Sequence, residues 1–315
     1  MELFSITFES VITLLGIGIL GFWIIAKKIL PESIMEVLPV LVIDIAVPCL
    51  VFRNIITKFD PALNRDWWML PLWWAGFTLL LFLLTLLLLR TVKSGVRQEF
   101  GVSLFYQNGI FVPLAILSGM FGIDSSSLVD LFLFALFYPA FFFNTYHLFF
   151  KKKAPRQRID WKRISNPILI ATILAVALRL TDLSIYVPDF FIEICALIGQ
   201  TAVPLIFIII GGTIYIDFQK RGKIQKGAMV QFVLYKNFLV PIIVLGILLL
   251  VRPAYNTALI LILQSAAPPI SAVPIVTERA GGNRSIVNQF MIASFLAATV
   301  SIPAIVLLFD TFFKK

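Results

Sequence analysis

Apolar runs of about twenty residues recur along the chain, separated by short polar or charged stretches. Each run is close to the roughly 20 residues that carry a helix across a bilayer, and ten can be read. The first covers 8–26 and ends at Lys27-Lys28, the second 34–53, and the third is uncharged from Trp67 to Leu89. The paired Trp67-Trp68 sits where an aromatic belt meets the headgroups. The fourth run covers 100–121, the fifth 128–150, and the sixth opens at Asn166-Pro167, a proline suited to a first helical turn. The seventh covers 188–214 and the eighth 228–251. The ninth ends at Glu278-Arg279, and the tenth is uncharged from Ser285 to Phe309. The pattern predicts an all-α polytopic membrane protein with ten transmembrane helices.

Two of these runs cannot be continuous helices. The ninth contains QSAAPPISAVP at 264–274, with Pro268, Pro269 and Pro274. Each proline lacks an N–H donor and clashes with the preceding turn. In hydrocarbon such a break is tolerated only where it is buried in protein or lines a cavity. The fourth run carries Gln107, Asn108, Gly109 and Pro113. One gapless interval separates Pro113 from Pro269, Ala46-Val47-Pro48 from Ala202-Val203-Pro204, and Asn108 from Gln264, and it is close to half of the 315 residues. Duplication explains this. Residues 1–150 form one five-helix repeat, 151–163 (KKKAPRQRIDWKR) a basic linker, and 164–315 the second repeat.

Composition fixes the class and charge the orientation. The chain is 60% hydrophobic and 14% charged, with mean hydropathy +0.97, too apolar for a soluble domain. Most of its 26 Lys and Arg lie in the loops after spans 1, 3, 5, 7 and 9. Cytoplasmic loops carry that excess, which places both termini outside the cytoplasm in a multi-pass cell membrane protein. The net charge of +9 therefore reflects orientation in the bilayer, and no nucleic-acid partner follows from it. A five-helix unit is odd-numbered, so its second copy is inverted, as in many secondary transporters. The two cysteines, Cys49 and Cys195, lie in predicted helices as small apolar residues, with neither a disulfide framework nor metal spacing. One histidine and few intramembrane acids argue against an enzyme, which needs a nucleophile–base pair or a metal set. No cofactor or metal is expected.

The candidate site is the pair of breaks. Discontinuous helices bring half-helix N-termini to the midplane of such folds, where their amides hold an anion. Asn108 and Gln264 can each donate to a carboxylate and accept from a hydroxyl, with Gly109, Pro113, Ser265, Pro268 and Pro269 shaping the site. Their competing role is to satisfy backbone groups freed by the breaks. Asp44 lies near the centre of the second span, and its mate in the second repeat is Gln200. A charge there is costly and a functional candidate by default: it carries a coupling proton or cation, or it is structural. Lys236 lies inside the eighth span. It either snorkels to the surface, the favoured reading, or faces the pocket.

The whole chain resembles the auxin efflux carrier family, which includes plant PIN-type carriers and bacterial malate and malonate permeases. The resemblance rests on AVPCLVF in span 2, NGIFVPL in span 4, NPILIA in span 6, TAVPLIFIIIGGTI in span 7 and AAPPISAVPIVTERAGGN across span 9. It implies a scaffold of spans 1, 2, 6 and 7, a transport domain of spans 3–5 and 8–10, and breaks that cross in spans 4 and 9. It also implies an elevator motion and a homodimer. Family members commonly have an asparagine where this chain has Tyr106, and bulky Phe111 follows Asn108. The expected activity is secondary transport, in the export direction, of a small organic anion. A sodium symporter of the bile-acid-transporter-like fold and a membrane sensor using the same pocket are the alternatives.

Overall fold

The computed structural model describes residues 2–150, 166–219 and 224–313; the basic linker at 151–163 lies outside them. All regular elements among the described residues are helices: α1 (Glu2–Ala26), α2 (Ile34–Lys58), α3 (Trp67–Thr91), α4a (Arg97–Phe105) and α4b (Phe111–Phe121). There follow α5 (Ser126–Phe149), α6 (Pro167–Leu180), α7 (Asp189–Gln219), α8 (Lys226–Val251), α9a (Tyr255–Ala266), α9b (Val273–Arg279) and α10 (Arg284–Phe313). Seven are long and apolar enough to cross a bilayer: α1, α2, α3, α5, α7, α8 and α10. The other three expected spans fall short for two reasons. Spans 4 and 9 are each split at the predicted breaks. α6 has only 14 residues, about 21 Å at 1.5 Å per residue, against a hydrocarbon core of roughly 30 Å. Its start follows expectation: Asn166 Oδ1 accepts the Leu169 N–H at 2.9 Å, with Pro167 in the first turn.

Proline also shapes three helices the apolar pattern reads as regular. α5 is interrupted between Phe134 and Tyr138, just before Pro139. A π-helical turn occupies Val42–Ala46 in α2, two residues ahead of Pro48, and another occupies Leu234–Leu239 in α8, two ahead of Pro241. A proline ring collides with the carbonyl four residues back, and a widened turn gives that carbonyl room. Such bulges often mark functional sites.

Glycines set the closest packing. α1 lies along α7, where a Cβ added to Gly21 would stand 2.7 Å from Ile208 Cα. α2 packs on α6 and the first half of α7, while α10 contacts α1, α8, α9a, α9b and α4a. Phe100, Phe232 and Phe290 knit α4a, α8 and α10 together, Phe232 stacked on Phe290 at 4.7 Å with Phe100 edge-on at 5.1 and 5.5 Å. Aromatic pairs in these geometries gain about 0.5–1.5 kcal/mol beyond their burial.

Candidate functional site at the crossed helix breaks

The two breaks meet in space. After α4a the chain turns extended at Tyr106, and after α9a it does so at Ala267. The extended segments cross antiparallel, with Gln107 opposite Pro269. The Asn108 N–H donates to the Pro268 carbonyl at 2.7 Å, and the Ile270 N–H to the Tyr106 carbonyl at 3.1 Å. Backbone groups that two unbroken helices would have used internally are thus paired between the breaks, as an apolar interior requires.

Side chains complete the pairing. Pro113 cannot donate to the Gly109 carbonyl, and Gln264 Nε2 donates there instead at 2.5 Å. Gln264 Oε1 in turn accepts from Gln107 Nε2 at 3.3 Å. The Tyr138 hydroxyl, delivered by the interruption in α5, donates to the Gln107 carbonyl. Asn108 Oδ1 accepts the Phe111 N–H at 3.1 Å and caps α4b. Ser265 Oγ donates to Ile262 O at 2.7 Å within its own helix. Gly109 has no room for a side chain: an added Cβ would stand 2.5 Å from Gln264 Oε1.

Two atoms at the crossing stay free. Asn108 Nδ2 and Gln107 Oε1 are buried and have no hydrogen-bond partner among the described residues. One is a donor and the other an acceptor, on consecutive residues. Gln107 and Tyr138 are site residues beyond those predicted. The offset that pairs Asn108 with Gln264 skips Gln107, and Tyr138 reaches the crossing only through the interruption before Pro139.

One cavity reaches the crossing, and another lies farther along α4b. One of about 320 Å³ lies between α1, α4b, α7 and α10, with Val112, Ile116, Phe207, Ile210, Phe295 and Pro268 in its wall. Another of about 440 Å³ lies between α1, α2, α4b and the middle of α7, and is lined by Glu9, Ser10, Thr13, Ser118 and Gln200. Of the predicted residues, Pro268 therefore lines the first and Gln200 the second. Tyr106 lines neither: its hydroxyl bonds Thr145 at 2.7 Å and its ring packs edge-on against Phe142. Where this chain departs from the family pattern, the side chain turns into α5.

Both charged candidates occupy π turns, and both differ from expectation. Asp44 is exposed, not buried. Val42 and Ala46 face the core from the ends of the wide turn, which leaves the residue midway between them on the opposite face. Lys236 is the inverse case. Leu234 and Phe238 are exposed, so the residue midway points inward. It is 0% exposed, with Nζ unpartnered among the described residues. Lys236 does not snorkel. Beside it, Asn237 Nδ2 donates to Ser294 O at 3.1 Å and its Oδ1 accepts from Ser294 Oγ at 2.8 Å, tying α8 to α10.

Ion pairs bridge the helices at both ends of the bundle. Arg284 of α10 binds Asp217 of α7 and Glu278 of α9b, each at 2.9 Å. Arg53 of α2 pairs with Asp124 in the turn between α4b and α5.

No curated protein is similar enough to match the chain. A family model described as membrane transport protein matches residues 6–306, which takes in α2 to α9b whole, both breaks and every candidate residue. The chain belongs to that membrane transport protein family, the one that holds the auxin efflux carriers its motifs resemble.

Proposed function

We propose that this membrane transporter is a secondary carrier of a small organic anion, a carboxylate, held at the crossed breaks and moved by an elevator-type alternating access. The observation that carries this reading is the unpartnered donor at the crossing. Asn108 Nδ2 is buried beside the first turn of α4b, where aligned backbone dipoles favour negative charge. A buried donor without a partner costs roughly 1–3 kcal/mol. An arriving carboxylate repays that cost. Gln107 Oε1 is matched to a hydroxyl or a protonated acid on the same molecule. Gln264, Gly109, Pro113, Ser265, Pro268 and Pro269 hold the geometry, Gln200 and Lys236 tune the pocket, and Asp44, exposed on α2, is a coupling candidate outside it.

The architecture that serves this function is a ten-span, five-plus-five inverted repeat, with α6 and the split pairs α4a–α4b and α9a–α9b counted as spans. α1, α2, α6 and α7 form the scaffold, and α3–α5 with α8–α10 the moving domain. Support for this division comes from its seam, where both cavities lie between scaffold and moving helices. The ion pairs Arg53–Asp124 and Asp217–Arg284 cross the same seam. The protein sits in the cell membrane as a homodimer with both termini non-cytoplasmic, and it works in the export direction.

Counterflow in proteoliposomes tests the reading. Labelled malate, malonate and indole acids are offered with and without a proton gradient. At least one anion should exchange, and its neutral amide should not. Equal exchange of the amide would remove the anion site. Impermeant labelling of cysteines introduced at Ser125 and Arg156 tests the inversion, which requires the two to react from opposite faces.

A further inference from the structure

The cavity of about 440 Å³ has one charged side chain in its wall, Glu9 of α1, and no cationic one among the described residues. The Glu9 carboxylate makes no ion pair among the described residues, whereas Asp124, Asp217 and Glu278 each hold an arginine. The hydroxyls beside Glu9 have already donated their hydrogens. Ser10 Oγ donates to Ile6 O at 2.7 Å and Ser118 Oγ to Ala115 O at 2.9 Å, which leaves them only lone pairs to offer. The Gln200 amide can present its oxygen as well. Arg53, one turn past the wall residue Leu50, and Asp124, next to the wall residue Ile123, are paired with each other. Much of the remaining wall is apolar, with Leu14, Ile17, Leu50 and Val203. Along α1 the cavity runs from Ile6 to Ile17, about 16 Å at 1.5 Å per residue. Ile6 precedes the apolar span that starts at Phe8, and Ile123 follows the end of α4b, so the mouth lies at that end of the bundle. Glu9 stands near the mouth, and Leu14 and Ile17 lie deeper.

We infer that this cavity is a binding site for a small organic ammonium ion with an apolar body. An ammonium group has only donors to give, and it carries the charge for which Glu9 has no partner. The lone pairs of Ser10 and Ser118 accept from it beside the carboxylate, and an aryl or short alkyl body fills the stretch between Leu14, Ile17, Leu50 and Val203. The volume falls within the roughly 300–1,000 Å³ of small-molecule sites, which are mostly apolar with a few placed polar groups. One carboxylate matches one positive charge. A hard divalent cation such as calcium takes about 6–8 oxygens, several of them from acids, and would leave the apolar walls uncovered. An anion would face a carboxylate and lone pairs, so this site is separate in chemistry from the crossing. Its occupant touches α1, α2 and α7 on one side and α4b and α5 on the other. It therefore ties those helices together beside the point where Ser10 Oγ fits against Gly119, which has no room for a Cβ.

The experiment titrates phenethylamine, protonated at neutral pH, into the purified full chain in nanodiscs of zwitterionic lipid, with calorimetry as the readout. Phenethyl alcohol, the neutral isostere, is run beside it. The amine should bind saturably and raise the melting temperature by mass action. The alcohol should bind the native protein about tenfold more weakly, and so should the amine bind Glu9→Gln, since each change removes one charge-assisted hydrogen bond. Glu9 is exposed, so Glu9→Gln should melt as the native protein does without ligand. Glu36→Gln removes an exposed acid outside the cavity and should keep native affinity for the amine. Equal affinity for the alcohol, or native affinity in Glu9→Gln, would overturn the ammonium site. Uptake that never saturates, equal in empty nanodiscs, would mean partitioning into lipid and would overturn it too. The readout is cation binding, so its failure is distinguishable from failure of the anion site.

Discussion

Gln264 donates to the carbonyl of Gly109 from across the crossing, 2.5 Å away, and Gly109 has no side chain to obstruct it. That single relationship joins the two broken helices and replaces the bond Pro113 cannot make. A methyl at residue 109 would stand 2.5 Å from Gln264 Oε1, and the amide would have to swing away. Gly109→Ala should therefore destabilise the protein by about 1–3 kcal/mol through the buried carbonyl it strands. Gln264→Ala strands the same carbonyl, so the double variant should cost much less than the sum of the two. Thermal unfolding in detergent measures this. Additive losses would mean that the two residues act independently.

Asn108 has two jobs on one side chain, and they can be separated. Its Oδ1 caps α4b while its Nδ2 is unpartnered. Asn108→Asp keeps the capping oxygen and removes the donor, so α4b stays capped, while the buried carboxyl adds a desolvation cost to folded stability that melting curves measure separately. Losing a donor to a charged group costs about 1.5–3 kcal/mol, a roughly ten- to hundredfold weaker affinity for the anion, and the added negative charge acts in the same direction. Binding titrations and melting curves on the same preparation decide. Native affinity in Asn108→Asp would place the anion elsewhere.

The breaks were readable because proline chemistry is local: Pro113, Pro268 and Pro269 each announce a lost hydrogen bond wherever they stand. The constant interval between the halves then pointed to Asn108 and Gln264 as matching positions of the two repeats. Which atoms stay free was not readable. It depends on Gln264 reaching Gly109 and on Asn108 spending its oxygen on Phe111, contacts between residues far apart in sequence or dependent on the exact turn. Asp44 and Lys236 were misplaced for a related reason. An apolar run predicts depth in the membrane but not facing, and a π turn shifts facing by most of a residue.

Arg284 holds two acids of different worth. Asp217 is 1% exposed and Glu278 61% exposed. Exposed pairs contribute about 0–1 kcal/mol, whereas a charge-assisted hydrogen bond to a buried acid contributes more. Glu278→Ala should change stability by less than about 1 kcal/mol. Arg284→Ala should cost clearly more, about 1.5–3 kcal/mol for the charged hydrogen bond to Asp217. If α10 moves against α7 during transport, Asp217→Asn should also change the exchange rate, because this pair must break on every cycle. Denaturation midpoints and counterflow rates test the two halves separately, and equal costs for Glu278→Ala and Arg284→Ala would refute the ranking.

Lys236 gives the sharpest contrast between stability and function. Its amine is 0% exposed in the π turn of α8 and has no partner among the described residues. A buried charge without a partner is expensive, and replacing it with an apolar side chain of similar shape is often neutral or stabilising. Lys236→Met keeps the length of the side chain and removes the amine. The melting temperature should therefore stay level or rise. A group kept at such a cost is retained for what it does, so anion exchange should fall in the same variant. Lys236→Ala should lose stability as well, because it leaves a cavity where the methylenes packed. A lower melting temperature in Lys236→Met would show that the amine is bonded in the folded protein. Unchanged exchange there would strip the residue of its role in transport.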